Sequence, residues 1–391
     1  MRYFTLPLVL SFLFPANNSA AASSPQDAQT EYHALLALSR AQLPLSLRSG
    51  SDEAAKIAWF RQHKEQLHGR GAAFLERYAA DSLRWDVLVL LRYGGEEREK
   101  ISRSGSRQLV PVPESKAAWD KKYFRSLEVL LAAPDASASA RGEALRQLID
   151  QTARSASFAP AEAPQAIPRV RGWLDQYDRE FPRSRNVVGL YHTYANLLDA
   201  AAPDLCVAFL AELEQRYQQR QNLDKQVQEE VVAGHRRALQ AQALPMDELW
   251  ARLRELDAVV GDPARYRGKV VLVAFGPVTY DTFMEALEDL HSQYAMAGLV
   301  ILQVVSFDPA YGLPPESEQR RNLEKIVAIR KWPWAVLWSP RDHFEFVKKW
   351  GCNTIPARML IGRDGRLISD RYSPFSVSIP RELARSASEE R

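Results

Sequence analysis

The stretch "GKVVLVAFGPVTYDTFMEALEDL", Gly268 to Leu290, decides how this chain is read. "GKVVLVAF" is a continuous, valine-rich apolar run of strand length, suited to a strand buried on both faces. "TFMEALEDLHSQYAMAG" follows as an amphipathic helix. Thr282-Phe283-Met284-Glu285 fits a capping box, in which the threonine and the glutamate satisfy backbone donors at the helix start. Asp281 adds a carboxylate at the positive end of the helix. The turn between the strand and the helix carries no cysteine.

Working outward, "LDAVVG" reads as a leading strand and "LVILQVVSFD" as a second buried one. "ESEQRRNLEKIVAIRK" is a helix, and "WAVLWS" a short strand with Trp334, Val336 and Trp338 on one face. "RDHFEFVKKWG" is a helix, after which "ARMLIG" and "GRLISD" form a hairpin around "RDG". A β-α-β crossover, further helices and a terminal hairpin predict a mixed sheet covered on both faces.

"YRGKVVLVAF", "GLVILQVVSFD" and "WGCNTIPARMLIGRDGRLI" together resemble the thioredoxin fold, and more narrowly the exported TlpA/ResA-like thiol–disulfide oxidoreductases and related redoxins. The resemblance covers roughly Met246 to Ser373. Its most specific piece is Ile355-Pro356, which it implies to be the family's cis-proline loop beside the active turn. In that family a W-C-x-x-C motif follows the strand. Here the cysteine positions fall on Tyr280 and Phe283, with Asp281 and Thr282 between them and Thr279 in place of the tryptophan. Disulfide exchange needs an attacking thiolate and a resolving thiol, which these side chains cannot supply. A peroxidatic cysteine at the same helix start is excluded for the same reason. Cys352, four residues before Pro356, stands where relatives carry an inward-packing apolar residue. It is read as a packing residue, with a role in mixed disulfides as the alternative.

Upstream, from about Gln26 to Ala243, the pattern is helical. "EYHALLALSRAQL", "AAKIAWFRQHKEQLHGRGAAFLERYAA", "LRWDVLVLLRYG" and "YFRSLEVLLAA" space apolar residues by three and four. The clearest break is Ser157 to Pro168, "SFAPAEAPQAIP". "FLERYAADSLRWDVLVLL" and "YDREFPRSRNVVGLYHTY" share one logic, with Phe74, Tyr78 and Asp81 opposite Tyr177, Phe181 and Ser184. Such units resemble tetratricopeptide-like hairpins, which bury their faces by stacking. A repeat array and an irregular bundle both remain open. The expected organisation is a leader over residues 1–22, a helical domain over 26–243 and a thioredoxin-like domain over 244–391.

The leader expectation rests on "MRYFTLPLVLSFLFPANNSAAASS", with Arg2, an apolar run from Tyr3 to Phe14 and small residues at Ser19 to Ala22. It predicts an exported protein, periplasmic or extracellular, with no membrane span after cleavage. In an oxidising compartment Cys206 and Cys352, the two cysteines of the chain, could be bridged or buried singly. The 391 residues carry 51 basic and 48 acidic side chains, a formal net charge of +3. That balance, with no Lys/Arg block, no zinc-type Cys/His spacing, no GxxxxGK[ST] and no GxGxxG, gives nucleic-acid and nucleotide binding no support. No cofactor and no metal are expected. His63 and His68 lack a metal spacing, and His192, His235, His291 and His343 stand apart and read as surface or packing residues.

Three functions fit these residues. The first is a redox-inactive thioredoxin-like protein that binds a protein or peptide through Thr279, Tyr280, Phe283, Ile355 and Pro356. The second is a diverged oxidoreductase using Cys352 or a partner's thiols. In the third the helical half does the binding, and the thioredoxin-like domain is a folded spacer.

Overall fold

The computed structural model describes residues 24–48, 52–92, 94–101, 107–158, 161–182, 184–217, 223–242, 257–260, 269–278, 281–305, 315–339, 357–368, 378–380 and 382–384, with the single positions 248, 251 and 266. The expected domain boundary at 243/244 lies outside them. The chain divides into two compact units, Met1–Leu148 with Asp175–Pro182, and Ile149–Leu174 with Arg183–Arg391.

The first unit is built from helices α1 (Pro25–Ser39), α2 (Leu45–Arg48), α3 (Glu53–Arg77), α4 (Leu83–Leu90) and α5 (Pro113–Ala132), with parts of α6 (Ala138–Phe158) and α7 (Ala163–Glu180). Ser24 caps α1 in a reciprocal box with Asp27, and Asp52 caps α3 through the Ala55 N–H. Phe74, Leu88, Tyr123, Leu127 and Leu130 are fully buried between these helices. Trp85 donates to Asp135 at 3.0 Å, and Ser137 donates to Asp86 at 2.8 Å. One element departs from the helical expectation. Strands β1 (Glu97–Ile101) and β2 (Arg107–Pro111) form a two-stranded antiparallel ribbon, where "EREKI" has too little apolar content to show a period. The expected break at 157–168 is also narrower, because α6 runs to Phe158 and α7 starts at Ala163, with Pro168 inside it.

The two aligned hairpins share local geometry. The Phe74–Tyr78 centroids lie 4.6 Å apart at 42°, and the Tyr177–Phe181 centroids 5.0 Å apart at 42°. Each second aromatic donates its N–H to the carbonyl of the first at 2.8 Å. Asp81 accepts from the Leu83 N–H at 2.8 Å, and Ser184 from the Asn186 N–H at 3.3 Å. The same turn chemistry starts a helix in both places.

The second unit contains α8 (Asn186–Ala201), α9 (Pro203–Arg216), α10 (Leu223–Gln226), a π-helical turn (Val227–Val232) and α11 (Ala233–Gln242), followed by the sheet. The strands are β3 (Asp257–Val260), β4 (Val270–Phe275), β5 (Leu299–Val305), β6 (Ala335–Trp338), β7 (Ala357–Ile361) and β8 (Leu367–Ile368). Their order is β3-β6-β5-β4-β7-β8. β4, β5 and β6 are parallel, whereas β3, β7 and β8 run antiparallel to their neighbours. Helix α12 (Asp281–Tyr294) connects β4 to β5, and α13 (Glu316–Arg330) connects β5 to β6.

Alternation along the strands splits the core into two layers. One layer holds Val270, Leu272, Ala274, Leu299, Ile301, Val336 and Leu360, covered by Phe283, Met284, Leu287 and Leu290 of α12 and Leu323 and Val327 of α13. The other holds Val271, Val273, Phe275, Leu302, Val304, Leu337, Met359 and Ile361. All six side chains of β4 are fully buried. Trp334, Val336 and Trp338 share the first layer, as their spacing predicts.

Candidate functional site

The candidate site is the turn from β4 into α12. The Gly276 N–H donates to the Val304 carbonyl at 3.1 Å, so the parallel ladder continues one residue past β4 before the chain leaves the sheet. Val278, 8% exposed, already belongs to the α12 core layer. Thr279 and Tyr280 lie outside the described residues, and so do the side chains of Asp281 and Thr282. Phe283 is described and is 7% exposed, packed in the layer beneath α12. With Met284, Leu287 and Leu290 it forms the apolar stripe that docks the helix on the sheet.

β7 begins at Ala357, opposite Phe275, the last residue of β4. The chain therefore enters β7 at the same end of the sheet at which β4 leaves for α12. Cys352, Ile355 and Pro356 lie outside the described residues. Cys206 is fully buried on α9, its thiol 3.6 Å from the Ala195 carbonyl of α8, and so it serves helix packing.

Two residues near the turn were not singled out by sequence. Gln303 of β5 is fully buried; its carbonyl accepts from Trp334 Nε1 at 3.1 Å, and its amide faces Met284 Sδ at 3.1 Å. This amide ties β5, α12 and Trp334, the residue before β6, together inside an apolar layer, where an unpaired indole N–H would be costly. Its signal in sequence is that it is the one polar side chain within "LVILQVV". Arg358 pairs with Ala274 across β4 and β7, and burial pushes its guanidinium below the usual arginine range.

Of the histidines, His63 stacks on Trp59 at 4.7 Å, and His68 is buried with its ring 5.3 Å from Trp119. His192 and His235, far apart in sequence, are brought to 3.1 Å. Among the described residues no group of three or more His, Cys, Asp or Glu is placed to hold a metal ion, and no helix is long and apolar enough to cross a membrane.

No family model and no curated protein matches the chain. Solved structures similar to it include a candidate thiol–disulfide oxidoreductase from Bacteroides vulgatus, at 18% identity over 32% of this chain and 82% of that one, with a TM-score of 0.25. A candidate thioredoxin from Neisseria meningitidis matches at 20% identity over 32% and 79%, with a TM-score of 0.24. A thioredoxin-like protein from Bacteroides caccae matches at 12% identity over 69% and 84%, with a TM-score of 0.27. Scores this low add no weight. The strand order, the strand directions and the placement of α12 carry the assignment: a helical N-terminal region is followed by a thioredoxin-like sheet. The chain contains no CxxC.

Proposed function

We propose that this is an exported thioredoxin-like protein of the TlpA/ResA-like type that binds a polypeptide partner and does not exchange disulfides. The observation that carries the reading is Phe283. The side chain at the second cysteine position is part of the core beneath α12, so the position now supports packing. Tyr280 at the first position supplies no thiol, and Cys206 is committed to the α8–α9 contact. Thr279, Tyr280, Ile355 and Pro356 are the proposed binding residues, and the leader sequence supports export. Fold alone does not supply a function, so the proposal stands on these positions.

The test uses the full chain, because a cut at 243/244 would divide the unit that contains α8 to α11 and the sheet. Insulin reduction in the presence of dithiothreitol should proceed at the same rate with wild type, with Cys352→Ser and with no protein. Turnover that requires Cys352 would overturn the proposal and establish the diverged oxidoreductase. Affinity capture from the exported fraction should recover a partner that Tyr280→Asp no longer holds. Capture unaffected by Tyr280→Asp and by Pro356→Ala would move the binding surface away from the turn.

A further inference from the structure

We infer that His192 and His235 form a proton-sensitive latch, closed while the two rings share one proton and opened when both are protonated. His192 is on α8 and half-buried; His235 is in the first turn of α11 and fully buried. Nε2 of His235 lies 3.1 Å from Nδ1 of His192, with ring centroids 5.0 Å apart at 54°. A nitrogen–nitrogen contact of that length is one N–H···N hydrogen bond, in which one ring donates and the other offers its lone pair. Protonating the half-buried ring leaves that bond intact. Protonating both places a hydrogen on each facing nitrogen and a second cation on a ring with no access to water.

The surroundings sharpen the effect. Asn196 and Asp199 follow His192 by one and two turns on the same helix face, and both are 6% exposed. Among the described residues the Asn196 carbonyl oxygen has no hydrogen-bond partner. A polar stripe is therefore buried along α8 among its apolar residues. Among the described side chains, the charged groups on the elements packed around the pair are Asp199 on α8, Asp204, Glu212, Glu214 and Arg216 on α9, Lys225 on α10, Glu229 and Glu230 on the π-helical turn, and Arg236 and Arg237 on α11. Glu214 pairs with Arg236, Glu212 with Arg216 and Lys225 with Glu229. Asp199 is the buried carboxylate on the His192 face, but its attachment lies two helical turns, about 10 Å, along α8.

What the latch holds is the run 223–242. Its π-helical turn packs on α8 and α9 just before His235, and α11 also lies against β8 at the sheet edge. π-helical turns are rare and concentrate at functional positions. Opening the pair frees this run from α8 while the apolar core of the sheet stays closed.

Hydrogen exchange on the full chain at pH 7.5 and pH 5.0, corrected for intrinsic rates, tests the inference. Unperturbed imidazoles are mostly neutral at the first pH and mostly charged at the second. Peptides covering 227–242 should lose about tenfold in protection at pH 5.0, while β4 and β5 change by less than about twofold. His192→Gln keeps a neutral hydrogen-bonding partner for His235 and should abolish the difference between the two pH values. Protection of 227–242 that does not change with pH in wild type overturns the latch. So does a pH-dependent loss that persists in His192→Gln, or one that disappears in Asp199→Asn with both histidines present. Protection of 227–242 that rises on adding zinc(II) at pH 7.5 would make the facing nitrogens half of a metal site and would equally overturn it.

Discussion

Replacing Phe283 by cysteine tests what the side chain at that position does in the core. The ring is 7% exposed, in the layer formed with Val278, Leu287, Ile301 and Trp334. A buried phenylalanine removes ~150–250 Å² from water, and a cysteine in its place gives up on the order of 100 Å² of that. At ~25 cal/mol per Å² the loss is about 2.5 kcal/mol. Incomplete collapse around the smaller side chain raises the cost to about 3 kcal/mol. Because the chain contains two units, a single global unfolding free energy is not well defined, and local opening is the quantity to measure. Amide exchange in peptides covering β4 and β5 should accelerate about 100-fold in Phe283→Cys, since each ~1.4 kcal/mol is a factor of ten. Phe283→Leu, which keeps most of the apolar volume, should cost about 1 kcal/mol. If Phe283→Cys leaves exchange unchanged while Leu287→Ala accelerates it, the ring contributes nothing to the core and the packing role assigned to it fails.

Other substitutions test the helical region. A Cβ at Gly94 would sit 1.9 Å from Cε2 of Trp119, so Gly94→Ala should cost about 2 kcal/mol locally, read as faster amide exchange in α4 and α5, and shift Trp119 emission. Burial raises the Asp86 carboxyl above its ordinary range, more than the Ser137 hydrogen bond lowers it. Its folded form therefore favours the proton, and its contribution to stability weakens as pH rises through the folded value. Asp86→Asn should accordingly raise the midpoint at pH 7 and lose that advantage near pH 4. Glu212 shifts the other way, held down first by its hydrogen bonds from Arg171 and also by the charges of Arg171 and Arg216. Its contribution is complete above the ordinary glutamate range and disappears as pH falls through the folded value. Glu212→Gln should flatten the acid limb of the stability profile below about pH 4.5 and leave the slope at pH 6–8 unchanged.

What sequence revealed follows from how strongly each element expresses its environment. β4 and β5 read as buried strands because both their faces lie in apolar layers, leaving no alternation to confuse with a surface strand. The paired aromatics at Phe74/Tyr78 and Tyr177/Phe181 were legible because four-residue spacing puts them on one helix face, where their rings meet. The β1–β2 ribbon was hidden, since β1 is mainly charged and a two-stranded ribbon buries little. Gln303 and the His192–His235 contact were hidden for another reason. Their meaning depends on partners far along the chain, which no local period reports. At the turn, residue types sufficed to show that no CxxC is present, and the burial of Phe283 shows that this side chain packs in the core. The remaining proposed binding positions, Thr279, Tyr280, Ile355 and Pro356, lie outside the described residues.

The burial of Phe283 also divides the turn into two roles that mutation can separate. Position 283 lies on the stripe with Met284, Leu287 and Leu290, so the side chain there must face the sheet once α12 is docked. A thiol at that place serves chemistry at the expense of packing, and an aromatic serves packing alone. Thr279 and Tyr280 precede the first helical residue, Asp281. If the turn binds a polypeptide, Tyr280→Asp should remove binding with the protection of β4 and β5 intact. Phe283→Cys should loosen those strands, and any loss of binding should follow from that loosening. Equal effects of the two substitutions on both readouts would mean that the turn is a single packed unit with no separate binding edge.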